Sequence, residues 1–163
     1  MISAHSLIAQ DVQRPQIIKN KTVDGYRIVA PSIENLINML EMSSEMFENE
    51  MRGHLYSIKV TDRSITAEVD AFKHLLSGHP YNIFAKSRNR KSVIYSSLLK
   101  GENQQAQDLL NNEVNLLQIK LEPYLFADEG NRKVYLYTYN NNIYAVYIYK
   151  EDTESMTIAI ASD

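Results

Sequence analysis

The chain has no cysteine, no tryptophan and only five glycines. Without cysteine there can be no disulfide, no thiol catalysis, no zinc ribbon and no iron–sulfur ligation. The glycines are Gly25, Gly53, Gly78, Gly101 and Gly130, and each falls where an element has to end or turn. None is left to cradle a phosphate, and neither GxGxxG nor GxxxxGK[ST] occurs. HExxH is missing, and no Asp or Glu is followed two residues later by Lys, so the D/E-x-K pattern of many nucleases is missing too. No window approaches the roughly 18 consecutive apolar residues of a membrane span. The opening MISAHSLIAQDVQRP lacks the basic start and the apolar run of about 7–15 residues of a secretory signal. These absences lead to the expectation of a cytoplasmic, non-enzymatic protein with no cofactor and no metal. His74 and His79 could offer two nitrogens to one metal, but two ligands specify little, and surface positions are the simpler reading.

What remains is ordinary in bulk and uneven in detail. A chain of 163 residues, 44% hydrophobic and 23% charged, suffices for one domain with a real core. Asparagine is abundant, including the run Asn140–Asn142, and there are 11 tyrosines. That usage is associated with AT-rich genomes, those of many phages among them. Charge is strongly segregated. The window Ala71–Gly101 contains Lys73, Lys86, Arg88, Arg90, Lys91 and Lys100 and no acid, so it is +6 in a chain of −3, and the remainder carries −9. Such asymmetry points to an electrostatic binding surface.

The pattern predicts a single α+β domain spanning residues 1–163, with residues 1–15 as a lead-in. Residues 16–30 read as a hairpin turning at Asp24-Gly25. Ser32 is placed to cap a helix whose apolar positions Ile33, Leu36, Ile37, Leu40, Phe47 and Met51 continue to a stop at Gly53, the expected C′ residue. His54–Val60 reads as a strand. Ile65, Val69, Phe72, Leu75 and Leu76 repeat at helical spacing, with a strand at Ile65–Val69 as the competing reading. Tyr81–Ala85 reads as a strand, Lys86–Lys91 as its polar turn, and Ser92–Lys100 fits either class. A second helix is expected from Asn103 to Leu121, ended by Pro123. The C-terminus reads as a three-stranded meander over Val134–Tyr139, Ile143–Tyr149 and Met156–Ala161. The expected architecture is two main helices packed on antiparallel sheet.

Three surfaces are candidates for binding. The first is the basic segment Lys86, Arg88, Arg90, Lys91 and Lys100, where cations could neutralise phosphates and Tyr81, Phe84 or Tyr95 could stack on bases. A pI near 5.8 is low for a dedicated nucleic-acid domain, and a solvated turn is the plain alternative. The second is the acidic stripe Glu34, Glu41, Glu45 and Glu48 on the helix face opposite the apolar one. Like charges at this spacing cost about 0.2–0.5 kcal/mol per pair and no lysine interleaves them, so the face either meets water, a cation-rich partner, or the basic window of another copy. The third is a tyrosine face. If Tyr139 pairs with Ile143, Tyr135, Tyr137, Tyr139, Tyr147 and Tyr149 share one side of the sheet, to be covered by the second helix or to serve as a protein-binding surface.

The leading expectation is a small regulator or inhibitor that occupies a surface of a larger protein. It would be phage-encoded and aimed at host machinery such as a polymerase, nuclease or ATP-dependent protease. The second reading is a nucleic-acid-binding protein using residues 86–100. The third is a hydrolase with a dispersed site, because the members of a Ser-His-Asp triad can be far apart in sequence. A homodimer is compatible with all three, and no membrane association is expected.

Overall fold

The structure, a computed structural model, describes residues 14–23, 26–68, 82–98, 104–150 and 155–162. In chain order the elements are β1 (Asn20–Val23), β2 (Tyr26–Val29), α1 (Ile33–Glu41), α2 (Ser44–Gly53), β3 (Ser57–Val60), β4 (Ser64–Glu68), β5 (Asn82–Ser87) and β6 (Ser92–Leu98). There follow α3 (Gln104–Leu121), a 3-10 turn at Glu122–Tyr124, β7 (Leu125–Asp128), β8 (Arg132–Tyr139), β9 (Asn142–Lys150) and β10 (Ser155–Ala161). β1 and β2 pair with each other. The other eight strands form one antiparallel sheet in the order β3-β4-β5-β6-β10-β9-β8-β7. It consists of two four-stranded meanders, β3–β6 and β7–β10, separated in sequence by α3. Their last strands, β6 and β10, pair and fuse them.

The class is α+β, and the C-terminal meander is present. The arrangement differs from two helices on a sheet, because the described residues contain three helices and the meander has a fourth strand, β7, which sequence patterning missed. The long first helix breaks in two at Met42, which is extended. Ser43 causes the break: its side chain accepts from Met46 N at 3.2 Å, an N-cap bond that competes with continuing the helix. Gly53 is not the left-handed C′ residue. That position belongs to Leu55, with φ 64°. Leu55 N donates to Arg52 O and Tyr56 N to Met51 O, the paired bonds of a Schellman motif, with buried Met51 and Tyr56 as its apolar contact. The expected helix after Ile65 begins instead as β4, where Ile65 and Ala67 are buried and their neighbours are not. Residues 69–81, including Val69, Phe72, His74, Leu75, Leu76, Gly78, His79 and Tyr81, lie outside the described residues, as do Asp24, Gly25, Lys100 and Gly101. Ser92–Leu98 is strand, and Lys86 and Ser87 belong to β5, so the polar turn is shorter than expected.

One face of the sheet carries the core. Cross-strand rows run Ile58–Ala67–Phe84–Tyr95–Ile158–Ile148 and Val60–Ile65–Lys86–Val93–Ile160–Val146–Tyr135. Leu36, Leu40, Phe47 and Met51 from α1 and α2, and Val114, Leu117 and Leu121 from α3, join the same buried cluster. Two polar devices tie the hairpin to it. Asn35, fully buried, accepts from Ile18 N and Lys19 N and donates to Lys19 O and Ala30 O. Tyr56 Oη accepts from Val29 N at 3.1 Å and donates to Asn82 Oδ1, and burial pushes its phenol well above the usual range.

Candidate functional site

The tyrosine face splits. In β8–β9 Tyr139 pairs with Asn142, Tyr137 with Tyr144 and Tyr135 with Val146. Asn140 and Asn141 have φ 49° and 63°, so they form the two-residue turn with both central residues left-handed. The loop is one residue shorter than a three-asparagine loop, and a one-residue slip in register exchanges the faces of the whole second strand. Tyr135 and Tyr137 are therefore buried beneath the helices, with Tyr139 beyond them at the sheet's end. Tyr147 and Tyr149 lie on the opposite face, their rings stacked 6.3 Å apart at 17°.

The basic segment is dismantled in a similar way. Lys86 is 5% exposed, and its Nζ donates to the carbonyls of Met39 and Leu40 at 2.9 Å each. It terminates α1 by satisfying carbonyls that the helix leaves open. Burial lowers its pKa, with Glu41 opposing and Lys91 assisting. Lys86 is thus withdrawn from the surface patch. Lys91 Nζ lies 2.9 Å from Glu41 Oε1. Arg88 and Arg90 remain exposed on the turn, whose backbone is pinned by Arg88 N to Arg63 O and Arg90 N to Ser87 Oγ.

The acidic stripe finds its cations within the chain. Glu34 pairs with Lys19 at 3.0 Å and with Lys120 of α3. Burial pushes its carboxyl up, but hydrogen bonds from Lys120, its own backbone and Lys19 outweigh that and hold it at about 2. Glu41 pairs with Lys91, and Glu48 with Arg52 at 2.8 Å one helical turn on. Glu45 is exposed. The break between α1 and α2 also divides the stripe between two helices.

Two features emerge that patterning did not single out. The first is the outer face of the sheet. The described helices and the hairpin contribute their buried residues on the inner side. Outward positions form the row Lys59–Thr66–Ala85–Ile94–Ala159–Tyr147–Val134 and, on either side of the β5–β6 turn, the pair Ser64–Ser87 and the row Ser92–Ala161–Ala145–Leu136. A third row, Glu68–Ile83–Ser96–Thr157–Tyr149–Arg132, carries one charge at each end, and Lys59 at the β3 end is the one charge of the first. Ile94 is 42%, Leu136 39% and Ile143 63% exposed. A solvated face of an antiparallel sheet usually alternates to polar and charged residues. Here small and apolar side chains hold those positions across five adjacent strands. The signal was present in the sequence as missing charge at every second residue of β5, β6, β9 and β10, but it can be read only once the strand register is known.

The second feature is a cleft of about 690 Å³ between the C-terminal half of α3 and the inner face of β8 and β9. Ile148 and Tyr135 line it from the sheet, Ile119 and Glu122 from the helix side, and Lys133 and Lys150 also border it. Among the described residues no group of three or more His, Asp or Glu is arranged to hold a metal. None of the described helices is long and apolar enough to cross a membrane. Comparison with protein-family models, with curated proteins and with solved structures gives no match.

Proposed function

We propose that this chain is a non-enzymatic binding protein whose outer sheet face docks against a larger protein, as a regulator or inhibitor that works by covering its partner's surface. One observation carries the reading: rows of Ile, Ala, Ser, Thr and Tyr span the outer face with charge only at their ends. Contiguous apolar surface of this kind marks interaction sites. β10 supplies a low centre of Thr157, Ala159 and Ala161, flanked by Ile94 and Ser96 on one side and Tyr147 and Tyr149 on the other. Tyrosine beside such a depression is the side chain most often found at energetic centres of interfaces. A partner element with an apolar stripe fits this relief.

The test is capture of the partner from the native source by wild-type protein and by Ile94→Lys and Tyr147→Lys variants, with and without nuclease. The reading predicts a stoichiometric protein partner that survives nuclease and is lost with both variants while their thermal unfolding is unchanged. A partner that ignores both substitutions, or that disappears with nuclease, would overturn it. Sedimentation of the purified chain determines whether the occupant of the face is a second copy.

A further inference from the structure

The cleft beneath α3 has no part in docking through the opposite face, yet it is constructed as a site. At about 690 Å³ it falls in the range of roughly 300–1,000 Å³ common for small-molecule pockets. Strand alternation puts Lys133 and Lys150 on the inner face, directly across from Ile148 and from Met156. Elsewhere on that face such positions are mostly filled by core residues. The hydroxyl of Tyr135 is buried and has no hydrogen-bond partner among the described residues. It lies within the fields of Lys133, Glu122 and Asp128. A buried donor left unsatisfied is costly, and a bound acceptor removes that cost. Lys133 is only loosely engaged, 3.5 Å from Asp128, and Lys150 has no ion pair among the described residues. Two ammonium groups, Lys133 and Lys150, and one carboxylate, Glu122, line the cleft, and Asp128 lies against Lys133 at its border.

We propose that this cleft binds a small organic monoanion with an apolar body, of the kind a medium-chain or aromatic carboxylate presents. The carboxylate lies between Lys133 and Lys150 and accepts from Tyr135 Oη. The apolar part lies on Ile119, Ile148 and the Tyr135 ring. Two ammonium groups converging on one carboxylate select an anion over a neutral or cationic analogue, through charge-assisted hydrogen bonds.

The probe is anilinonaphthalene sulfonate, an aromatic monoanion whose fluorescence rises on burial, titrated into the purified 163-residue chain and displaced by octanoate, octanol or octylamine. Saturable one-to-one binding is expected. Octanoate should displace the probe at concentrations at least about tenfold lower than octanol, and octylamine should not displace it. The double variant Lys133→Met, Lys150→Met should keep its circular dichroism and melting temperature and lose the preference for octanoate over octanol. Tyr135→Phe should weaken octanoate by about threefold to tenfold and raise the melting temperature of the ligand-free protein. Because the probe could also adsorb to the outer face, Ile94→Lys serves as the control and should leave the signal unchanged. Equal displacement by octanoate and octanol, an unaltered preference in the folded double variant, or loss of the signal in Ile94→Lys would each overturn the proposal.

Discussion

Glu34 and Lys86 belong to oppositely charged surfaces in the sequence, and in the fold each is satisfied by partners far along the chain. Glu34 meets Lys120 across 86 positions, and Lys86 meets Met39 and Leu40 across 47 and 46. Charge patterning cannot see such pairs, because the separations are set by the sheet and not by helical spacing. The pairing has measurable consequences. Glu34 has its carboxyl held at about 2, below the ordinary 4.5. Its contribution to stability is therefore present in full above pH 4.5 and is lost as pH falls toward 2. Urea unfolding should show Glu34→Gln less stable than wild type at pH 7 by on the order of 1–2 kcal/mol after solvent screening, with the gap closing near pH 2. A gap that persists unchanged at low pH would mean that the side chain acts through packing and not through charge. Lys86→Met keeps the length of the buried stem and strands two helix-end carbonyls. It should cost about 2–4 kcal/mol in the same assay. If Lys86→Met proved neutral, water would have to replace the ammonium at the end of α1.

At the scale of elements, the expected strands and helices mostly exist, and the differences sit at their ends. Local chemistry there outweighs periodicity. Ser43 divides one predicted helix, Asn140 and Asn141 shorten one predicted loop, and Leu55 takes a conformation that sequence reading reserves for glycine. Leu55 is 77% exposed with φ 64°, so its side chain gains little burial in return for the strain. Leu55→Gly should stabilise the protein by about 1 kcal/mol by removing the Cβ penalty of the left-handed region. Thermal unfolding measures this directly, and a destabilised variant would show that the Leu55 side chain packs in solution. The turn following β5 carries a prediction of a different kind. With Lys86 buried and Lys91 paired to Glu41, two exposed arginines, Arg88 and Arg90, are left to meet phosphate there. Any duplex DNA binding through this turn should have a log–log salt slope no steeper than about −1.8, and affinity should be negligible at physiological salt. A measured slope near −3.6, the value for about four phosphates, would restore the nucleic-acid reading.

The whole molecule depends on its last strand. β10 lies in the middle of the eight-stranded sheet although it ends the described chain, and among the described strands the two meanders are joined by its pairing with β6. Sequence reading found this strand and its hairpin partner. It did not find β6 as the other neighbour, since pairing Ile158 with Tyr95 is non-local and leaves no periodic trace. The two faces of β10 can be separated at consecutive positions. Ile158 is fully buried between Tyr95 and Ile148, so Ile158→Ala opens a cavity and should cost about 2–5 kcal/mol. Ala159 points the other way, between Ile94 and Tyr147. A lysine there can extend its stem over the face and keep its ammonium in water, so Ala159→Lys should change stability by less than about 1 kcal/mol. The two variants should then behave as opposites. Ile158→Ala, at a temperature where it is still folded, should keep the protein partner and melt early. Ala159→Lys should melt with the wild type and lose the partner. If Ala159→Lys instead unfolds the protein as severely as Ile158→Ala, the outer face is covered within the chain itself, and docking through it is ruled out.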